Sequence, residues 1–186
     1  MTTPKQLIDR LREEFNCSIR EERVIAMINA LEARLAKDVI CKTDILKAAL
    51  NKGENRIRLD FPAEMVLRLS LSGKELRKSS VSEPCGFRCE GNDIVFDFAC
   101  DSGEVVMEYL VMPQPFTQSD YDKRSLLLED GYIEIYIYHI LSREALLSDD
   151  IERLNNYSTI YAEALKALML ANRNSFSGAV RYLNVW

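Results

Sequence analysis

Apolar residues in the first third of the chain recur every three or four positions. Leu7, Ile8, Leu11 and Phe15 share one helical face. Thr3 ahead of Pro4 supplies an N-cap with proline at the first helical position. "NCS" interrupts the run. Ser18, with Glu21 three residues on, has the pattern of a capping box opening a second helix. Val24, Ile25, Ile28, Leu31 and Leu35 form that helix's apolar stripe. "TDILKAAL" predicts a third, shorter helix, stopped by Gly53 in "NKGEN".

The period then changes from helical to alternating. "RIRLDFP" and "VLRLSLSGKEL" alternate, the latter around a turn at Ser72, Gly73 and Lys74. "GFRCEGNDIVFDFA" and "GEVVMEYLVMP" read as strands flanking "CDSG". Gly91-Asn92-Asp93 and Asp101-Ser102-Gly103 read as hairpin connections. The pattern predicts an antiparallel meander of four to five strands over 56–112, ended by Pro113 and Pro115.

"GYIEIYIYHILSREALL" is ambiguous at its start. Ile133, Ile135 and Ile137 alternate with Glu134, Tyr136 and Tyr138, as in a strand. The segment continues without a turn signal for about 17 residues, against about 5–6 for an ordinary strand. A helix buried on several sides accounts for the length, with tertiary packing overriding β-propensity. Ile133, Ile137, Ile140, Leu141 and the region of Ala145 and Leu147 then share one face; Tyr132, Tyr136, His139 and Arg143 share the next. A final helix follows, capped by Ser148 or Asp149 and striped by Ile151, Leu154, Tyr157, Tyr161, Leu165, Leu168 and Met169.

These elements give an α+β fold: an N- and C-terminal helical bundle with an inserted antiparallel β meander. The expected divisions are helices over 1–55, a β subdomain over 56–115, closing helices over 116–174, and an extended tail over 175–186. The tail carries Val180, Tyr182, Leu183, Val185 and the chain's one tryptophan, Trp186. It docks back on its own bundle, stays disordered, or docks on a partner subunit, where exposed aromatics are typical anchors.

Composition narrows the classes. The 186 residues suffice for one good core, and 47% hydrophobic with 28% charged residues is ordinary globular usage. A net charge of −5 with no Lys/Arg run argues against a surface built to hold nucleic acid. The charged N-terminus lacks the apolar core of a signal peptide, and no window approaches the roughly 18–20 apolar residues of a membrane span. The expectation is a soluble protein made in the cytoplasm. Five cysteines, an odd number in a chain of this size, argue against a disulfide framework.

Candidate chemistry is sparse. Cys85 and Cys89, with Cys100 across a hairpin, are the nearest approach to a metal site, yet His139 is the only histidine; the cysteines read as small buried residues on strands. A Cys–His nucleophile lacks an activating group. Glu13/Glu14, Glu21/Glu22 and Asp149/Asp150 read as solvated charge near helix ends. Tyr132, Tyr136, Tyr138, Tyr157 and Tyr161 read as core rather than as a stacking platform. No phosphate-cradling glycine motif is present. No catalytic, cofactor-binding or metal residue is assigned.

Taken in order, the segments resemble the small head-to-tail connector (adaptor) proteins of tailed phages. "LIDRLREEF…EERVIAMINALEARLAKDVI" is similar to their opening helices, and "RIRLDFPAEMVLRLSLSGKEL" to a strand ending in proline before a "G-K-E" strand. "GNDIVFDFACDSGEVVMEYLVMPQPFT" is similar to their hairpin, and "LLLEDGYIEIYIYHILSREALLSDDIERLNNYSTIYAEALKAL" to their closing helices. The resemblance spans about residues 7–171 and rests on the order of elements more than on any one motif.

The resemblance implies a non-enzymatic structural subunit without cofactor. It would form a ring, usually twelve-fold, below the portal and link capsid to tail around the DNA channel. Its partners would be the portal and the next neck or tail protein, with DNA passing without specific binding. It would be found in the host cytoplasm during assembly and then in the virion neck. Without a long heptad seam or a continuous apolar strand edge, the isolated chain is expected to be a monomer or weak oligomer. Rival readings are a cellular acidic binding module or secretion-type chaperone, and a small enzyme with an unrecognised site.

Overall fold

A computed structural model describes residues 1–79, 86–99 and 101–175, without the side chains of 173–175. The chain divides into two compact units: Met1–Ile40 joined by the chain from Pro113 onward, and Cys41–Met112 inserted between them.

In the helical unit, α1 (Pro4–Phe15) begins as the sequence predicts. Thr3 Oγ1 accepts the Gln6 N–H at 3.3 Å, and Gln6 Oε1 accepts the Thr3 N–H at 2.9 Å. Asn16 ends the helix in the left-handed region at φ 50°. The start of α2 (Glu21–Leu35) differs from expectation. Its N-cap is Arg20, with no side-chain cap bond. Ser18 instead turns away, donating its N–H (2.7 Å) and Oγ (3.0 Å) to Glu144. Glu21 is taken by Arg12 at 2.8 Å. A longer-range carboxylate thus outcompetes the local capping box. α2 runs into a π-helical turn over Ala36–Ile40.

α3 (Ile133–Leu147), preceded by a 3₁₀ turn at Asp130–Tyr132, resolves the ambiguous stretch as helix. It is buried on several sides through Ile133, Ile135, Tyr136, Ile137, Ile140, Leu141 and Ala145, whereas Leu147 is exposed. α4 (Ile151–Ser175) is capped by Asp150, whose Oδ1 accepts the Arg153 N–H at 3.0 Å, rather than by Ser148 or Asp149. Ser148 Oγ is engaged at the end of α3, donating to the Glu144 and Ala145 carbonyls. Leu7, Leu11, Ile28, Leu31, Ile137, Ile140 and Leu168 belong to one core, so the terminal helices pack together as expected.

The inserted unit departs most from expectation. "TDILKAAL" is not a helix but the eight-residue strand β1 (Thr43–Leu50), so the unit opens at Cys41 rather than at residue 56. Leu, Lys and Ala are good helix formers, but propensity differences amount to less than about 1 kcal/mol per residue, and the ladder with β7 (Gly103–Leu110) overrides them. The remaining strands are β2 (Arg56–Arg58), β3 (Val66–Leu71), β4 (Lys74–Leu76), β5 (Phe87–Glu90) and β6 (Asp93–Phe96). They form two antiparallel sheets, ordered β1-β7-β3-β4 and β2-β6-β5, rather than one meander. The turns at Ser72–Gly73 and Gly91–Asn92 join β3 to β4 and β5 to β6 as read from the sequence. Asp101-Ser102-Gly103 makes no hairpin, because β7 pairs with β1 and β3 instead of β6. Leu50, Leu69, Phe87, Ile94, Phe96, Val105 and Met107 form this unit's own core.

Candidate functional site

Among the described residues, no group of three or more His, Cys, Asp or Glu side chains could hold a metal ion. Cys89 donates its thiol to the Ala63 carbonyl at 3.3 Å, and Cys17 is buried, which raises its pKa. Cys85 and Cys100 lie outside the described residues. His139 is half-buried, its ring centroid 5.4 Å from that of Tyr161. Burial, with Arg143 and Arg34 adding positive potential, pushes its pKa down to about 4. Such a ring stays neutral. The tyrosines fall as the core reading has them: Tyr136 is fully buried, while Tyr132, Tyr138, Tyr157 and Tyr161 pack against the core's edge.

Polar chemistry concentrates instead under a segment that sequence reasoning left unassigned. Residues 113–129 contain no helix or strand. Two side chains one turn apart on α2 hold them. Asn29 accepts the Phe116 N–H (2.7 Å) and donates to its carbonyl (3.0 Å), mimicking a strand partner. Glu32, only 3% exposed, accepts the Leu127 N–H (2.7 Å) and the Tyr136 hydroxyl (3.0 Å). The Tyr136 oxygen in turn accepts the Leu128 N–H at 3.3 Å. Burial raises the Glu32 pKa against these two bonds, and raises that of Tyr136 beside it. Phe116, Leu126 and Leu128 complete the anchorage in the core, and Arg124 lies 4.1 Å over the Phe116 ring. The strap is therefore fixed, not loose. The apolar run "SLLL" was the available signal for it.

What remains exposed is suited to contact. Leu146, Leu147 and Ile151 are 53%, 53% and 66% exposed around the α3–α4 turn, and Met169 and Leu170 project from α4. On the inserted unit, Ile45 is 63% exposed on β1. The tail residues Val180, Tyr182, Leu183, Val185 and Trp186 lie outside the described residues. No helix among the described residues is long and apolar enough to cross a membrane.

The described residues present an anchored strap and exposed apolar groups at the α3–α4 turn. The sequence matches the family model of the SU10 adaptor protein over residues 2–182. The chain belongs to the SU10 adaptor protein family. That is a family of phage head-tail adaptors, structural proteins of the virion neck. The match extends beyond the 7–171 span of the sequence resemblance at both ends. No curated protein matches the chain.

Proposed function

We propose that this adaptor is a ring-forming, non-enzymatic subunit that sits below the portal and links capsid to tail around the DNA channel. Its partners are the portal protein and the next neck or tail protein. The reading rests on the family match over residues 2–182. Solvent-exposed Leu146, Leu147 and Ile151 support it, since such groups gain by burial between subunits. The net charge of −5 suits a channel through which DNA slides without being gripped.

In this reading the segment 175–186 is the docking tail. Gly178 permits a change of direction, and Val180, Tyr182, Leu183, Val185 and Trp186 seat in a groove of the portal. Tyr and Trp are the anchors, each worth about 2 kcal/mol on the usual hot-spot scale. Purified portal mixed with the adaptor and imaged in negative stain should show an added ring below the portal. Deleting residues 181–186 should abolish that ring while leaving the melting temperature of the isolated chain nearly unchanged. A large loss of stability with unimpaired portal binding overturns the docking role of the tail.

A further inference from the structure

Strand β1 is an edge strand whose outer side is unpaired among the described residues. The Val111 N–H donates to the Lys42 carbonyl at 2.9 Å, which places the backbone groups of Lys42, Asp44, Leu46 and Ala48 toward β7. The Glu104 carbonyl, opposite Ala49, points the other way, to the Ser72 N–H at 2.8 Å, in agreement with that phase. Thr43, Ile45, Lys47 and Ala49 therefore direct their N–H and C=O groups outward, and all four residues are exposed. Of these donors, the Ile45 N–H is covered by its own neighbour, Asp44 Oδ1, at 2.8 Å. An eight-residue edge with one guarded donor is a template for strand addition.

The occupant follows from length and charge. Among the described residues, the other edge strands β2, β4 and β5 have three, three and four residues. The backbone at Lys78, two residues beyond β4, is moreover bridged to Phe87 of β5. The one described strand able to match β1 along its length is β1 of a second copy. Antiparallel pairing through outward-facing groups allows odd residues to oppose only odd ones. The register centred on Leu46 sets Ile45 against Lys47 of the second copy and Asp44 against Ala48 of the second copy. No like charges stand directly opposed, and each Lys47 already has Glu104 at 3.6 Å.

We propose that β1 pairs with β1 of a second copy in this register, joining two four-stranded sheets into one of eight strands. One strand pair buries less than the roughly 1,200 Å² from which stable complexes start, so the dimer is weak and concentration-dependent. A two-fold pair closes on itself and does not propagate. Resting on the ring reading above, the dimer covers the edge of β1 before assembly and must open for a ring to form.

Sedimentation of the full chain from about 10 μM to 1 mM tests this. The parent should shift from monomer toward dimer across the range. Asp44→Ala uncovers the Ile45 N–H in both copies and should tighten association about three- to tenfold, the gain of one to two ordinary hydrogen bonds. Ile45→Pro removes an outward donor without touching the β7 ladder, and should weaken association tenfold or more. Amide exchange supplies a reading that needs no variant. Protection at Thr43, Ile45, Lys47 and Ala49 should rise with concentration, while Asp44, Leu46 and Ala48 stay constant. A chain still monomeric at 1 mM in both parent and Asp44→Ala overturns the proposal, as does a dimer without that alternation. Neither result touches portal binding, so failure here is distinguishable from failure of the adaptor reading.

Discussion

Replacing Glu32 tests whether the strap over 113–129 is held by one buried carboxylate. In Glu32→Ala the Leu127 N–H loses its acceptor and the Tyr136 hydroxyl loses its own. An unsatisfied buried donor costs about 1–3 kcal/mol; with the Tyr136 hydroxyl free to rotate toward another acceptor, the two together cost about 2–4 kcal/mol when Glu32 is protonated. For a chain of this size each kcal/mol moves the melting temperature by about 2–4 °C. The drop is then roughly 5–15 °C, provided the helical unit is followed on its own transition. The sign with pH is opposite to that of an ordinary surface acid. Burial raises the folded-state pKa of Glu32. Its contribution is therefore fully present below the unfolded value near 4.5 and is lost as pH rises through the folded one. The alanine variant should lose more at pH 5 than at pH 8. Glu32→Gln retains a carbonyl acceptor and carries no charge, so it should equal or exceed the parent at pH 8. Urea denaturation at both pH values, with amide exchange at Leu127 and Leu128, measures this. A Glu32→Gln chain that falls as far as Glu32→Ala at pH 8 would refute the reasoning, because charge rather than the acceptor would then be essential.

Two further outcomes are expected. His139, held neutral with its pKa near 4, should cost stability as pH falls from about 6.5 to 4, by at most about 3 kcal/mol from 1.36 kcal/mol per unit; His139→Phe should flatten that slope, and an imidazole titrating near 6.5 by NMR would contradict it. Gly86→Ala places a methyl group on the Arg77 carbonyl, which accepts the Phe87 N–H at 3.1 Å, and should destabilise the inserted unit by about 1–3 kcal/mol in urea, an unchanged midpoint refuting the close approach.

The sequence disclosed what is local. Thr3-Pro4 capped α1 because the cap and its Gln6 partner lie within one turn. The length of the run through Ile133 and Leu141 outweighed its alternating start. What failed was non-local. β1 is strand because β7, some sixty residues on, offers a ladder, and nothing within "TDILKAAL" announces it. The same pairing broke the expected meander. Ser18 lost its capping role to Glu144, more than a hundred residues away. Nothing in "ALEARL" marks Glu32 for burial, which becomes visible only when Leu127 folds across it. The tail was singled out from its Tyr and Trp, and lies outside the described residues.

The inserted unit leaves and rejoins the helical chain at neighbouring points. Thr43 faces Leu110 at the first rung of the β1–β7 ladder, and the Val111 N–H bonds the Lys42 carbonyl at 2.9 Å. Strand partners at such a rung stand only about 5 Å apart. For inheritance, this makes the sheet a cassette. Two crossovers, one near residue 41 and one near 112, exchange all seven described strands together and leave both halves of the helical core with their own partners. Because the two ends already lie side by side, a replacement of any size fits if its own first and last residues do the same. Lineages of this fold can thus remodel the sheet by recombination at a rate set by its own contacts, while the helices keep to the slower pace their shared core imposes.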